Sequence, residues 1–179
     1  MVLTWDEYFM GIAEMAAKKS HCYSRQIGAV ITRTNIILST GYNGPPMGVL
    51  HCEARHPENK QECPRRFKGI PSGQGLEMCP ATHAEVNAIA LAARNGICLK
   101  DSTLYLWTHD GVLPCKTCAG ILINSGIIEV VTGRNLDYDS VPESIRGRQL
   151  FKEADVKMRC LDNCEKKRTN VIKHNLKEG

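Results

Sequence analysis

The chain has 179 residues, 42% hydrophobic and 23% charged, with 23 Lys and Arg against 19 Asp and Glu for a formal charge of +4. That length suits one well-buried domain. No apolar run reaches the roughly 20 residues a bilayer crossing needs, and the opening MVLTWDEYF lacks the basic start of a secretion signal, so a cytoplasmic protein is expected.

Thr4 with Glu7 reads as a capping box, followed by Trp5, Tyr8, Phe9, Ile12, Met15 and Ala16 at helical spacing, so a first helix is expected to fade near His21. IGAVIT from Ile27 and IILSTGYN from Ile36 are β-rich and joined by Arg33-Thr34-Asn35, a hairpin. From Gly44 to Gly75 the chain holds Pro45, Pro46, Pro57, Pro64 and Pro71 and little periodicity, a long excursion that calls for a function or a staple.

A second helix is predicted over Thr82 to Asn95, stopped by Gly96, then a buried strand TLYLWT from Thr103. A third helix runs from Cys115 to Asn124, ended by Gly126, and IIEVVT from Ile127 is the next strand. A helix near Pro142 to Glu153 and a last strand at Val156 complete the reading, with no internal repeat. The expected architecture is a three-layer α/β/α domain around a mixed five-stranded sheet. Residues 1–179 are read as one domain, with a Cys/Pro-rich insertion at about 44–80 and a basic tail at about 164–179 holding Lys166, Lys167, Arg168, Lys173 and Lys177. That tail reads as a solvated end. With aromatics at only 6%, neither a nucleic-acid nor a membrane partner is expected.

Nine cysteines, an odd number without a secretion signal, point to metal or reactive thiols rather than a disulfide framework. Two segments carry the chemistry: His83-Ala84-Glu85 and Pro114-Cys115-Lys116-Thr117-Cys118. Cys-x-x-Cys alone is ambiguous between redox and zinc. Joined to His-x-Glu, with each segment entering a predicted helix, it is the signature of zinc deaminases. Zinc accepts one imidazole and two thiolates and leaves its fourth position to water. Cys115 and Cys118 at a helix N-terminus gain from its dipole; His83 is placed in the first turn of its helix, and Glu85 beside it is the proton carrier for attack at C4 of a cytosine-type base.

The segments SRQIGAVIT (24–32), IILSTGYNGPP (36–46), HAEVNAI (83–89), TLYLWT (103–108), PCKTC (114–118) and SGIIEVV (125–131) resemble the cytidine deaminase-like superfamily, and within it the deoxycytidylate (dCMP) deaminases. The resemblance implies hydrolysis of dCMP to dUMP and ammonia, a supply of precursor for dTMP synthesis, activation by dCTP and inhibition by dTTP with Mg²⁺, and a homohexamer. By kinship Asn43 would bond the sugar, Ala84 would offer its backbone N–H to the base, Tyr138 would stack on the pyrimidine and Arg25 would meet a phosphate. Gly41, Tyr42 and Gly44 would shape the pocket floor, with Tyr42 and Gly44 also candidates for the effector site.

The family often carries a second, structural zinc; Cys22 and Cys52 match two of its ligands, and Cys63 and Cys79 are chosen as the others, with His21, His51 and Glu77 as substitutes. Cys98, Cys160 and Cys164 have no assigned role. Two features depart from the family pattern. His109, Asp110, Gly111, Val112 and Leu113 lengthen the turn before Pro114, beside the pocket, and bear on which base substituents fit; a deaminase of the same fold acting on a modified dCMP, a free cytosine nucleoside or a tRNA adenosine is the alternative reading. The acidic or histidine ligands that sometimes help hold the second zinc are not clearly present. A zinc-stabilised, non-catalytic scaffold is the alternative of a different class, and would need a fourth protein ligand.

Overall fold

In the computed structural model the described residues are 2–55, 63–71, 74–109, 111, 113–133 and 142–161. The order is α1 (Trp5–Ala17), β1 (Ile27–Arg33), β2 (Ile36–Tyr42), short helices α2 (Cys52–Arg55) and α3 (Pro64–Phe67), a 3₁₀ turn (Leu76–Met78), α4 (Ala84–Arg94), β3 (Ser102–Thr108), α5 (Lys116–Asn124), β4 (Ile127–Thr132), α6 (Pro142–Glu153) and β5 (Lys157–Cys160). The strands form one sheet in the order β2-β1-β3-β4-β5. Thr34 and Asn35, both at positive φ, close the β1–β2 hairpin. β1 is antiparallel to β3, whereas β3, β4 and β5 are parallel, as the intervening helices α5 and α6 require.

Alternation along the strands divides the core in two. Ala29, Ile31, Leu104, Leu106 and Val130 face Ala84, Ala88 and Ala92 of α4, Ala119 and Leu122 of α5, and Phe151 of α6. Val30, Tyr105 and Val131 face Phe9, Met10 and Ala13 of α1. The three layers are thus α1, the sheet, and the α4–α5–α6 layer.

The Thr4–Glu7 capping box is present, and α1 ends at Ala17, earlier than the periodicity implies. The insertion contains α2, α3 and the 3₁₀ turn where the sequence suggested only irregular chain. The last strand begins at Lys157 instead of Val156. No helix among the described residues is long and apolar enough to cross a membrane.

Two glycines let helices lie directly on strands. A Cβ on Gly28 would stand 1.9 Å from the Ala13 carbonyl oxygen of α1. One on Gly41 would stand 2.4 Å from the Ala84 carbonyl oxygen and 2.5 Å from the Ala88 nitrogen of α4. Only glycine admits such backbone approach inside a strand.

Candidate metal and catalytic site

His83 is the N-cap of α4, with extended φ −67° and ψ 152°. It therefore precedes the helix, a correction to its expected place in the first turn. The reason is geometric: at the cap, side chains two residues apart need not diverge as they do on a helix, so His83 and Glu85 can border one space. Cys115 is likewise the N-cap of α5, with Cys118 in the first turn.

The two helix starts bring His83 Nδ1 to 3.3 Å from Cys118 Sγ and 3.7 Å from Cys115 Sγ. Among the described residues these three form the one group of at least three metal-ligand atoms lying within 4.8 Å of one another. One imidazole and two sulfurs at helix N-termini match the zinc donor set, with no fourth protein donor in the group, so the residues fit a metal that keeps an open position.

The Cys115 thiol is pulled down to about 4, chiefly by the hydrogen bond from Cys118 and then by His83, while Cys118 is pushed up by the same bond. Glu85 is 4% exposed. Burial raises its carboxyl above the ordinary value against the opposing pull of His83, and Cys115 and Cys118 are among its neighbours. A buried carboxyl next to a metal-ligand group is equipped to hold and pass a proton.

The GYNG turn is sutured to this centre. Gly44 and Thr82 exchange backbone hydrogen bonds (3.1 and 2.9 Å), fixing the residue before His83. Asn87 of α4 donates through Nδ2 to the Tyr42 carbonyl at 2.8 Å, and Ser39 Oγ to the Ala88 carbonyl at 2.7 Å. Asn43 is buried, its Oδ1 accepting from the Ile27 N–H and its Nδ2 donating to the Arg25 carbonyl, both at 2.8 Å. The second Nδ2 hydrogen has no acceptor among the described residues. Ala84 opens α4, where its N–H has no intrahelical acceptor, and Arg25 is half-buried.

Tyr138, Asp110, Val112, Cys164 and the basic tail lie outside the described residues. Leu113 and Pro114, at the end of the lengthened turn, are buried, and His109 is exposed.

Cys22, Cys52, Cys63 and Cys79 line one small cavity of about 30 Å³ with His21 and His51. Burial, then the neighbouring thiols of Cys79, Cys22 and Cys63, raise the Cys52 thiol. The imidazoles of His21 and His51 lie 4.5 Å apart, and buried His51 Nδ1 has no hydrogen-bond partner among the described residues. These donors are gathered less tightly than His83, Cys115 and Cys118.

Asn87, Ser39 and Ser20, which the sequence reading passed over, hold the site through side-chain hydrogen bonds to backbone carbonyls distant in the chain. Gly41 did carry a signal, a glycine within a strand pattern.

Residues 3–134 match the family described as cytidine and deoxycytidylate deaminase zinc-binding region. The chain is 39% identical over 132 residues to the deoxycytidylate deaminase of Mycobacterium phage D29, covering 71% of this chain and 92% of the relative. It is 36% identical over 156 residues to that of Schizosaccharomyces pombe, covering 87% of this chain but 44% of the relative, so it spans less than half of that protein. The human deoxycytidylate deaminase is 34% identical over 162 residues, covering 88% of this chain and 79% of the relative. Among solved structures, the dCMP deaminase of cyanophage S-TIM5 in complex with dCMP and dUMP superposes with a TM-score of 0.66 at 21% identity, over 90% of this chain and 99% of that one. That likeness bears on the fold.

Proposed function

The chain belongs to the cytidine and deoxycytidylate deaminase family, and from that premise we propose that it hydrolyses dCMP to dUMP with release of ammonia. The observation that carries the reading is the meeting of His83 Nδ1, Cys115 Sγ and Cys118 Sγ within 4.8 Å, with Glu85 buried among them. Relatives named deoxycytidylate deaminase in phage, fungi and mammals support dCMP as the substrate.

His83, Cys115 and Cys118 would hold zinc, which supplies Lewis acidity that makes water a competent nucleophile near neutral pH. The Glu85 carboxylate takes the proton of the attacking water and delivers it to the ring nitrogen. Oxygen adds at C4, Glu85 then takes the remaining proton from the C4 hydroxyl and hands it to the exocyclic nitrogen, and the C4–N bond breaks as the C4 carbonyl forms and ammonia leaves. The Ala84 N–H holds the base carbonyl, the spare Asn43 N–H the sugar, Arg25 the phosphate and Tyr138 the pyrimidine face.

Cys22, Cys52, Cys63 and Cys79 take a second, structural zinc that clips the 44–80 insertion to the end of α1. The shared cavity and the orphaned His51 Nδ1 support a metal there, and His51 is the substitute ligand. Two zinc ions per chain are expected; one ion counts against the clip.

Kinship supports the remaining features: a single domain of residues 1–179, a cytoplasmic homohexamer, activation by dCTP and inhibition by dTTP with Mg²⁺ at a site including Tyr42 and Gly44, and supply of the dTMP precursor. Ammonia release from dCMP, deoxycytidine, dCTP and 5-substituted dCMP, each with and without dCTP and Mg²⁺, tests the proposal. Preference for dCMP raised by dCTP supports it. Preference for another substrate overturns the substrate and points to the lengthened 109–113 turn.

A further inference from the structure

The metal-binding turn Pro114-Cys115 does not stand alone; α6 is built against it. Along α6, Ser144, Gly147 and Phe151 fall at i, i+3 and i+7, and all three are buried. Phe151, fully buried, is in the core cluster with Ala119 and Leu122 of α5, which fixes the helix. Ser144 Oγ donates to the Leu113 carbonyl at 3.3 Å. Gly147 lies flat on the next peptide: a Cβ there would stand 2.4 Å from the Pro114 carbonyl oxygen and 3.2 Å from the Cys115 carbonyl carbon.

These contacts fall on the two residues before Cys115 and on Cys115 itself, where the chain leaves the lengthened turn and enters α5. A cap residue joins its helix through its carbonyl, here accepting from the Ala119 N–H at 2.9 Å, but makes no helical bond through its own N–H, so the peptide before it is the second support of its sulfur. Pro114 is fully buried, and the α6 glycine is what allows the helix to reach that peptide.

We propose that Ser144 and Gly147 are positioning residues for the metal site: by gripping the Leu113–Cys115 backbone they set where Cys115 Sγ sits relative to Cys118 Sγ and His83 Nδ1. The inference rests on the reading that these three residues hold zinc. Groups that orient ligands from behind are generally worth about 10-fold or more in metal affinity. Because the grip acts on the metal ligand and not on the nucleotide, its loss lowers kcat and metal retention together while KM for dCMP stays close to its starting value.

Cadmium-loaded protein, followed by cadmium NMR, tests this, because a site of two thiolates and one imidazole gives its own line, distinct from a four-thiolate site. Ser144→Ala and Gly147→Ala are each expected to shift that line and to weaken zinc retention against a chelator by about 10-fold. Ile145→Ala, on the exposed side of α6, is expected to do neither. If Gly147→Ala does not fold, Ser144→Ala decides alone. A line present in the unsubstituted protein and unmoved in Ser144→Ala, with zinc retention unchanged, overturns the inference and leaves the metal reading intact. No such line in the unsubstituted protein overturns the metal reading, and this inference with it.

Discussion

Asn43 and Ile27 are locked to each other by two hydrogen bonds of opposite sense, Ile27 N–H to Asn43 Oδ1 at 2.8 Å and Asn43 N–H to the Ile27 carbonyl at 3.1 Å. Ser20 Oγ donates to the Asn43 carbonyl at 2.7 Å and accepts from the Cys22 N–H, so the same turn is tied to the end of α1. The residue proposed to touch the sugar is therefore also the brace of the 20–27 loop.

Asn43→Ala leaves the Ile27 N–H and the Arg25 carbonyl without their side-chain partner. It is expected to destabilise the fold by about 2 kcal/mol and to raise KM for dCMP more than it lowers kcat. Denaturant unfolding beside steady-state kinetics checks both; a rise in KM with unchanged stability would contradict the bracing role.

Glu85→Gln keeps the shape of the buried carboxyl and removes its ability to carry a proton. Zinc content should be unchanged, and kcat should fall by about 10²–10⁴-fold, the range of general acid–base catalysis. Metal analysis with single-turnover kinetics decides it, and near-normal turnover would remove Glu85 from the mechanism.

Gly41→Ala places a methyl 2.4 Å from the Ala84 carbonyl oxygen, where only backbone can give way. The expected cost is about 1–3 kcal/mol, typical of overpacking, with activity falling because α4 carries His83 and Glu85. Gly11→Ala, whose added carbon meets nothing within 4 Å, is the control; equal stabilities for the two variants would refute the account.

Arg159 of β5 binds Asp6 of α1 through Nη2 at 2.8 Å and Glu129 of β4 through Nε at 2.9 Å, while the Tyr105 hydroxyl donates to Asp6 at 2.7 Å. Arg159 foremost holds the Asp6 carboxyl below its usual 3.8. Burial pushes Glu129 up, but Arg159 and Lys157 outweigh it and hold it below 4.5. Both carboxyls bind protons less readily folded than unfolded, so their contribution is full above the unfolded values and is lost as pH falls through the folded ones. Arg159→Met should cost on the order of 1 kcal/mol at neutral pH and flatten the decline in stability below about pH 4.5. Thermal unfolding of both proteins across that range is the check, and parallel curves would discard the argument.

Much of the chemistry was legible in the chain because it is local. The Thr4–Glu7 box, the hairpin, the glycine stops and the paired His-x-Glu and Pro-Cys-x-x-Cys segments each act over a few residues, so their spacing carries the geometry. The helices start two residues later than read at α4 and one later at α5, which makes His83 and Cys115 caps whose side chains meet at one point.

What only the tertiary structure decided is contact between backbones far apart in the chain. Gly41 beneath α4 and Gly147 against Pro114 are defined by an absent side chain, and Ser20, Ser144 and Asn87 by bonds to carbonyls that every residue possesses. Asp6 and Arg159 are ordinary surface charges until the sheet places β5 beside β4 and α1 over it. Such relationships leave no local period or spacing, because the partner is a peptide group or a distant charge whose position the whole fold sets.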